Sequence, residues 1–327
     1  MRQIVLRGPG EFIERETSIP SLVPGEAIVR IRKVGVCGSD FHAFAGRHPA
    51  YTYPRVLGHE LAGEVIEVDA NDFGIRAGDQ VAIEPYISCG KCSPCRAGRT
   101  NCCEQLRVIG IHVDGGMQGL LSVPLSLLHK SSLLSLDELA LVETLGIGAH
   151  AVSRSGIRKG QSAVVIGAGP IGLAVVEFVK AAGAEVRVVE NNEWRKSFAT
   201  SLGMRAIAQF DESLSDVVFD ATGSASSMAQ SLSFVAPAGR LVFVGLTKEP
   251  VVIDDSLLHR REVTIYASRN SRGQFPRIVH MLEERQINTQ PWVTDRMPLA
   301  NVPLEFKDLT SRPKLIKAIV DVEEAGG

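Results

Sequence analysis

The chain has 327 residues, of which 45% are hydrophobic, and a formal net charge of −2. This length and composition suffice for one large or two ordinary domains, each with a core of its own. The balance of charges, with both signs mixed along the chain, argues against a nucleic acid or an anionic membrane as a partner and favours a small molecule.

The expected location is the cytoplasm. No apolar run approaches the roughly 18 residues of a membrane span, and charged residues interrupt the short apolar run at residues 1–7 instead of extending it into a signal peptide. Six cysteines, five of them from Cys89 to Cys103 and four of those at metal-ligand spacing, fit a reducing compartment better than a disulfide framework.

The N-terminal part of the chain is rich in short β-like runs, among them residues 26–36, 63–68 and 80–84, which glycine and proline separate. This pattern predicts a β-rich domain, which we place at residues 1–148.

A dispersed set of metal-ligand residue types lies in this domain: Cys37, His59 and Glu60. Taken singly, a cysteine is more often a small buried hydrophobe and a histidine a satisfied core residue. Together they offer three mixed sulfur, nitrogen and oxygen ligands, which leave a fourth position for water or substrate, as a catalytic zinc requires.

A compact cysteine cluster follows at residues 89–103, in a lobe of about residues 85–108. Cys89, Cys92 and Cys95 are spaced by two residues, and Cys102 and Cys103 follow. One loop with this spacing can wrap a tetrahedral ion in four thiolates and leave no open position, which predicts a structural zinc. The spacing does not distinguish Cys102 from Cys103 as the fourth ligand.

The pattern changes from residue 160, where β-like runs alternate with helical stretches. The runs lie at residues 164–166, 186–189, 217–220, 241–244 and 263–267. Such alternation predicts an α/β domain with a doubly wound parallel sheet, at residues 149–286. Residues 287–327, with a final β-like run at 318–322, are expected to return to the first domain.

The first of these runs leads into Gly167-Ala168-Gly169-Pro170-Ile171-Gly172. This is the pattern of a βαβ unit that binds a dinucleotide, because the glycines permit a tight turn, the approach of a pyrophosphate and close packing of helix on strand. Glu190 ends the second run, where a carboxylate accepts a hydrogen bond from the ribose 2′-hydroxyl and repels a 2′-phosphate. NAD is therefore favoured over NADP, although three cations lie nearby in sequence: Arg187, Arg195 and Lys196.

Taken in order, these motifs resemble the zinc-dependent medium-chain dehydrogenases/reductases over nearly the whole chain. The motifs that carry the resemblance are Cys-Gly-Ser-Asp-x-His at residues 37–42, Gly-His-Glu at 58–60, the cysteine lobe with Gly98 and Asn101, and the glycine turn at 167–172. The resemblance implies a GroES-like catalytic domain, a Rossmann domain that binds NAD, two zinc ions per chain and a homodimer or homotetramer.

The resemblance also implies roles for individual residues. Cys37 and His59 would ligate the catalytic zinc, with Glu60 in or beside its shell and Glu143 reaching the metal directly or through water. Glu143 has an alternative reading as a carboxylate at a helix N-terminus. The structural zinc would be bound by Cys89, Cys92, Cys95 and Cys103. The residues assigned to the cofactor are Gly167, Gly169, Pro170, Ile171, Gly172, Glu190, Arg195, Thr222, Gly223, Val244, Gly245 and Ser268.

Within the family, residues 53–60, 98–104 and 108–116 look most like the sugar-acid branch, which includes L-galactonate and L-gulonate 5-dehydrogenases. The run Ser268-Arg269-Asn270 also resembles that branch. Arg269 could pair bidentately with a substrate carboxylate, with Asn270 beside it, but it could equally bind another subunit or stay solvated.

The chain departs from the family pattern in two places. Only about a dozen residues separate Gly203 from Asp216, where relatives usually fit a strand, a helix and a loop, so a crossover helix is expected to be short or absent. Thr144 replaces the usual proline after the metal-proximal glutamate.

These assignments lead to a mechanistic hypothesis. Zinc held by Cys37 and His59, with Glu60 or Glu143, would lower the pKa of a bound alcohol while a hydride passes to NAD. The proton would leave through Ser39 and His42, although an exposed histidine can also be a mere surface residue. The alternatives left open are a polyol or L-threonine 3-dehydrogenase of the same fold, and a non-catalytic dinucleotide-binding protein.

Overall fold

The structure is a computed structural model that describes residues 1–208, 213–309 and 311–322. The strands are β1 (Arg2–Gly8), β2 (Glu11–Glu16), β3 (Glu26–Val36), β4 (Arg55–Val56), β5 (Glu60–Val68), β6 (Gln80–Ile83), β7 (Tyr86–Ile87), β8 (Arg107–Val108), β9 (Leu120–Pro124), β10 (Leu128–Lys130), β11 (Ser162–Ile166), β12 (Glu185–Val189), β13 (Arg205–Ile207), β14 (Ser215–Asp220), β15 (Val235–Phe243), β16 (Thr264–Ala267), β17 (Val293–Pro298) and β18 (Lys317–Asp321).

The helices are α1 (Gly38–Phe44), α2 (Ser93–Arg96), α3 (Leu136–Ala140), α4 (Val142–Ser155), α5 (Pro170–Ala181), α6 (Glu193–Ser201), α7 (Ala225–Ser231), α8 (Asp255–Arg260), α9 (Phe275–Glu283) and α10 (Val302–Leu309). None of them, in the described part of the chain, combines the length and apolar composition needed to cross a bilayer.

The chain divides into two compact units. One comprises residues 1–143 and 275–327, and the other residues 144–274. The first boundary therefore falls within α4, close to its start, and the second at the first residue of α9.

The first unit is built on a mostly antiparallel sheet with the strand order β10-β6-β5-β3-β18-β17, in which β9 also pairs with β3. The long strand β3 joins the parts of this sheet, since it pairs with β5, β9 and β18. Apolar side chains of β3 such as Val29 and Ile31 are fully buried in the core of the unit. The pairing of β3 with β18 brings the C-terminal part of the chain into this sheet.

The second unit is a sheet of parallel strands, which in the described residues has the order β13-β12-β11-β14-β15-β16. Its central strands β11 and β14 bury successive side chains, including Val164, Val165 and Val218, as a sheet covered on both faces requires. The prediction of a doubly wound parallel sheet is confirmed. The order reverses beside β11, and this places the carboxyl ends of β11, β12 and β14 side by side at the switch point.

The short segment between Gly203 and Asp216 contains β13 and the first residue of β14. Residues 209–212, on which part of the expectation about the crossover helix depends, lie outside the described residues. Among residues 203–208 and 213–216, none is helical.

Candidate functional site

Cys37, His59 and Glu60 come together in the first unit. Cys37 follows β3 and caps α1, while His59 and Glu60 stand at the start of β5, the antiparallel neighbour of β3. One ligand atom from each of the three residues lies within 4.8 Å of the other two. The pairing of β3 with β5 thus explains how residues more than 20 positions apart in sequence form one group.

The Glu60 side chain packs over Gly35 of the neighbouring strand β3. Gly35 is the register partner of Glu60, and a Cβ at Gly35 would lie 2.1 Å from Glu60 Oε2. On the other side of β3, Lys317 begins β18 and directs its ammonium at Glu60, with Nζ 2.6 and 2.7 Å from the two carboxylate oxygens. Both side chains are almost completely buried, so each charge depends on the other for compensation.

Asp40 lies behind His59. Its Oδ2 accepts a hydrogen bond from the backbone N–H of Cys37 at 2.9 Å, and its Oδ1 is 3.7 Å from His59 Nδ1. Burial lowers the pKa of His59, but the Asp40 carboxylate and the Cys37 sulfur together raise it by more. The pKa of His59 therefore lies well above its usual value. A carboxylate in this position would orient the imidazole of a metal ligand, leaving its other nitrogen for the metal.

The donors of this group fit a zinc ion. A tetrahedral zinc with bonds of about 2.0–2.3 Å needs ligand atoms roughly 3.3–3.8 Å apart, which three atoms within 4.8 Å can reach with small rotations. A thiolate, an imidazole and a carboxylate are ligands that zinc prefers, and three of them leave one position open. Within the described residues, His59 Nδ1 is buried without a hydrogen-bond partner and faces the Asp40 carboxylate at 3.7 Å, which leaves Nε2 as the nitrogen for the metal.

Ser39 and His42 lie on α1, next to Cys37. They are three residues apart and therefore neighbours on one side of the helix. The Ser39 hydroxyl is buried and, in the described part of the chain, has no hydrogen-bond partner, whereas the His42 side chain is exposed. Such a pair extends from a buried polar atom to solvent.

Glu143 is near the group but not part of it. It lies in the first turn of α4, is 4% exposed, and accepts a hydrogen bond from the Tyr86 hydroxyl. Burial raises the pKa of the Glu143 carboxyl above its usual value, although His59 lowers it in part. Burial and Glu143 together raise the pKa of Tyr86 well above its usual value, so the phenol stays protonated.

The four-cysteine lobe forms the second candidate metal centre. The sulfur atoms of Cys89, Cys92, Cys95 and Cys103 lie within 4.8 Å of one another. The Cys92 and Cys103 sulfurs are 3.8 Å apart, which matches the edge of a tetrahedron with zinc–sulfur bonds of about 2.3 Å. Backbone N–H groups of Lys91 and Cys92 lower the pKa of Cys89 to about 6, which favours the thiolate that binds metal.

The fold resolves the choice between the adjacent cysteines. Cys103 is buried within the group, and its sulfur accepts hydrogen bonds from the backbone N–H of Cys89 at 3.2 Å and of Gln105 at 3.3 Å. Cys102 is exposed and outside the group. The single turn of 3₁₀ helix, Thr100–Cys102, ends at the exposed Cys102, and the buried Cys103 follows it.

Cys102 and Cys103 allow a matched pair of substitutions, because only Cys103 belongs to the group of four sulfurs. Cys103→Ser should reduce the zinc content from two ions per chain to one and lower the melting temperature by several degrees, because a structural zinc contributes directly to folding. Cys102→Ser should keep both ions and the wild-type melting temperature. Metal analysis and thermal unfolding of the two variants check this, and equal zinc loss in both would contradict it.

A dinucleotide fits the second unit at the carboxyl ends of β11 and β12. Gly167 has a φ of +97°, and a Cβ at Gly172 would lie 1.8 Å from Gly167 O, so this turn and its packing on α5 require glycine. A Cβ at Gly169 would meet nothing closer than Arg195 Nη1 at 4.0 Å, which leaves the space above this residue open for a phosphate. Pro170, Ile171 and Gly172 form the first turn of α5, whose N–H groups suit an anion.

A cavity of about 440 Å³ adjoins this turn. Its lining includes the predicted cofactor residues Gly167, Gly169, Glu190, Arg195 and Thr222. Glu190 is buried, and its two oxygens accept hydrogen bonds of 2.8 Å from the backbone N–H groups of Ala168 and Asn192. It therefore holds the glycine turn in place at the same time as it faces the cavity.

The remaining predicted cofactor residues follow β14, β15 and β16 at the same end of the sheet. Thr222 donates a 2.6 Å hydrogen bond to Asp220, and the backbone of Gly245 packs on that of Gly223, where a Cβ would lie 2.2 Å from Gly223 N. Val244 N–H donates to Asp220 O, and Ser268 N–H donates to Phe243 O, each at 2.9 Å. Arg269 is exposed, and Asn270 adopts a φ of 53°.

Sequence reasoning missed three side chains that contact the group of Cys37, His59 and Glu60 or the neighbouring Glu143. Lys317, which pairs with Glu60, is 257 positions away in sequence and was placed outside the predicted final strand. Asp40 and Tyr86 were not singled out, although Asp40 lies within the 37–42 motif and its position in the first turn of α1 is a recognisable capping signal. No local signal indicates the contact between Tyr86 and Glu143.

Two family models match the chain. Residues 23–132 match an alcohol dehydrogenase GroES-like domain, and residues 170–284 match a zinc-binding dehydrogenase. The first match contains Cys37, His59, Glu60 and the cysteine lobe, and the second begins at Pro170 within the glycine turn.

Individual relatives agree with these models. The L-galactonate-5-dehydrogenase of Escherichia coli (strain K12) is 36% identical over 335 residues, covering 98% of both chains. A zinc-binding dehydrogenase from Sinorhizobium meliloti 1021, solved with NADP, superposes with a TM-score of 0.90 at 29% identity, covering 98% of this chain and 99% of the other. An alcohol dehydrogenase from Escherichia coli CFT073, solved with NADH, gives a TM-score of 0.91 at 27% identity with the same coverage.

The chain thus carries a thiolate, imidazole and carboxylate group and a four-thiolate lobe, both within the first family model, followed by a glycine turn at which the second model begins. It belongs to the zinc-dependent medium-chain dehydrogenases/reductases, with an alcohol dehydrogenase GroES-like domain followed by a zinc-binding dehydrogenase domain.

Proposed function

We propose that this protein is a zinc-dependent oxidoreductase that transfers a hydride between NAD and a secondary alcohol of a sugar acid. The observation that carries the proposal is the group of Cys37, His59 and Glu60, which offers an open-sided metal site. The neighbouring Ser39 hydroxyl has no hydrogen-bond partner among the residues that the structure describes. The substrate class is supported by the 36% identity, over nearly the full length, to a relative named L-galactonate-5-dehydrogenase.

In this proposal each residue has a defined task. Cys37 and His59 hold the catalytic zinc, and Glu60 or Glu143 supplies the third protein ligand. When bound, zinc supplies a Lewis acid that can lower the pKa of a coordinated hydroxyl by several units. Ser39 accepts the proton from the substrate hydroxyl as it gives its own hydroxyl proton to His42, and His42 releases a proton to solvent. The hydride passes to the nicotinamide from the carbon that carries the substrate hydroxyl. One alcohol and one NAD therefore give one ketone, one NADH and one proton.

The structural zinc has a different task, since four thiolates leave no position for substrate. Cys89, Cys92, Cys95 and Cys103 bind it and close the lobe. On the substrate side, Arg269 is proposed to pair with the carboxylate and Asn270 to bind a neighbouring hydroxyl, because a guanidinium matches a carboxylate in geometry and charge.

The experiment that tests this function is a substrate panel. The purified chain with two zinc ions is incubated with NAD and with L-galactonate, L-gulonate, L-idonate, sorbitol, galactitol or L-threonine, and NADH formation is followed. We expect the fastest reaction with one of the aldonates. If a polyol or L-threonine reacts fastest, the proposed substrate class is wrong. If no alcohol gives NADH, the protein is better interpreted as a non-catalytic dinucleotide-binding protein.

Glu190 is proposed to select NAD. Glu190→Ser should raise the KM for NAD roughly 10–100-fold, because a hydrogen bond to a charged group contributes about 1.5–3 kcal/mol, and should lower the KM for NADP. Glu185→Ser, at the exposed opposite end of β12, is the matched control and should leave both constants unchanged. Steady-state kinetics with the two cofactors check this, and an unchanged preference in Glu190→Ser would contradict the assignment.

The proposed assembly is a homodimer or homotetramer in the cytoplasm. In the described residues, β16 stands at an edge of the parallel sheet, and two large apolar side chains of the same unit are exposed, Leu246 at 83% and Val252 at 78%. An edge strand beside exposed apolar residues suits association with a second copy. The cysteines are free thiols with metal spacing, which suits a reducing compartment.

A further inference from the structure

Tyr86 connects the two candidate metal centres of the first unit. It begins β7, three residues before Cys89, and pairs with Val108 of β8, five residues after Cys103. The two short strands therefore form the base of the loop that carries all four cysteines. At its other end, the Tyr86 side chain donates a hydrogen bond to Glu143 Oε1.

The strands alone are too short to fix Tyr86. Each has two residues, and an isolated two-stranded ribbon is marginally stable even when it is longer. The four sulfurs within 4.8 Å of one another close the loop between β7 and β8. A metal bound to these sulfurs would therefore hold the register of Tyr86 with Val108.

Glu143 needs such support to serve a metal. It is outside the group formed by Cys37, His59 and Glu60, and a glutamate side chain has three rotatable bonds by which it can turn away. Metal-ligating carboxylates are themselves hydrogen-bonded by outer partners, whose loss typically costs 10–100-fold in metal affinity. The Tyr86 hydroxyl is such a partner, since it binds one Glu143 oxygen and leaves the other to reach the metal.

We propose that Tyr86 is the positioning residue through which the four-cysteine lobe holds Glu143 at the catalytic metal. This inference rests on the proposed function, because it takes Cys37 and His59 as ligands of a catalytic zinc and Glu143 as a further one. It makes the structural zinc a determinant of the affinity of the catalytic zinc, through one hydroxyl group.

The first test is the zinc affinity of Tyr86→Phe, measured by competition with a chromophoric chelator. One of the two zinc ions should bind about 10–100-fold more weakly, while the other keeps its affinity. Tyr53→Phe is the matched control, since the Tyr53 hydroxyl donates to Ala43 O and not to Glu143, and both of its ions should bind as in the wild type. Two unchanged ions in Tyr86→Phe would overturn the proposal.

A double-mutant cycle separates positioning from general damage. If Tyr86 acts through Glu143, Tyr86→Phe should cause no further loss of zinc affinity in a Glu143→Ala background. If its full effect persists there, the proposal is wrong. A wild-type protein that binds only one zinc ion would instead refute the proposed function, so the two failures are distinguishable.

The contribution of the lobe is tested with Cys103→Ser. Loss of the structural zinc should weaken the remaining catalytic zinc in a chain that carries Tyr86, and should have no further effect in Tyr86→Phe. If the losses of zinc affinity caused by Cys103→Ser and by Tyr86→Phe multiply in the double variant, the two residues act independently, and the proposed role of the lobe is wrong. If Cys103→Ser does not fold, Arg107→Gly takes its place, because it loosens β8 while keeping all four cysteines.

Discussion

Cys37→Ala is expected to lose the catalytic zinc and at least about 10⁴-fold in turnover, while the structural zinc remains. Cys37 supplies the only sulfur of its group in the described residues, and the group lies at the junction of β3 and α1. Without it, His59 and one carboxylate are left to hold the ion. A zinc site can lower the pKa of bound water from 15.7 to about 7. An alcohol bound to zinc in the same way would be easier to deprotonate by on the order of 10 kcal/mol, and Cys37→Ala removes this stabilisation.

Zinc content and turnover have to be measured on the same preparation of Cys37→Ala. The exposed Cys102→Ala is the matched control, and it should keep two zinc ions per chain and full turnover. If a Cys37→Ala protein with a single zinc ion keeps its turnover, the reaction does not require a metal at this group.

Lys317→Met is expected to lower the free energy of unfolding by about 3–5 kcal/mol, because removal of one partner of a buried ion pair leaves the other charge uncompensated. The Lys317 and Glu60 side chains are 2% and 1% exposed. Burial lowers the pKa of the Lys317 ammonium, but Glu60 and Cys37 raise it more, so the pKa lies above its usual value and the lysine stays charged. Methionine fills the space of the lysine stem without the charge.

Lys33→Met is the control for this prediction. Lys33 forms an ion pair with Asp321 on the same sheet, but these side chains are 25% and 20% exposed, and such a pair contributes about 0–1 kcal/mol. Urea unfolding of the two variants compares them directly. If Lys317→Met costs no more than Lys33→Met, the Lys317–Glu60 pair does not hold the catalytic group as described.

The local parts of the fold were predictable from sequence. The strand predicted at residues 26–36 is β3, and the glycine turn lies between β11 and α5 as its pattern requires. Both signals are short-range, since they depend on side-chain alternation and on backbone conformations that glycine favours. Boundaries were less accurate where a proline and a glycine occur within a strand. The run predicted at 241–244 overlaps only the last three residues of β15, which begins at Val235 and ends at Phe243.

The contacts that hold the site were not predictable. The choice of Cys103 over Cys102 depends on which of two adjacent cysteines is buried after a short 3₁₀ turn, and their spacing in sequence does not reveal this. The pairing of Lys317 with Glu60 depends on the register of β18 on β3, and the contact of Tyr86 with Glu143 on the packing of α4. Sequence spacing reveals ligand types, but long-range register decides which polar side chain supports which ligand.

The central claim is that a metal held by Cys37 and His59 drives oxidation of a sugar acid by NAD. The most direct test is stepwise return of zinc to the zinc-depleted wild-type chain, with NADH formation from the best aldonate followed at each step. We expect no NADH at one ion per chain and a rise in NADH formation that follows the binding of the second ion. Full turnover at one ion, or none at two, would contradict it.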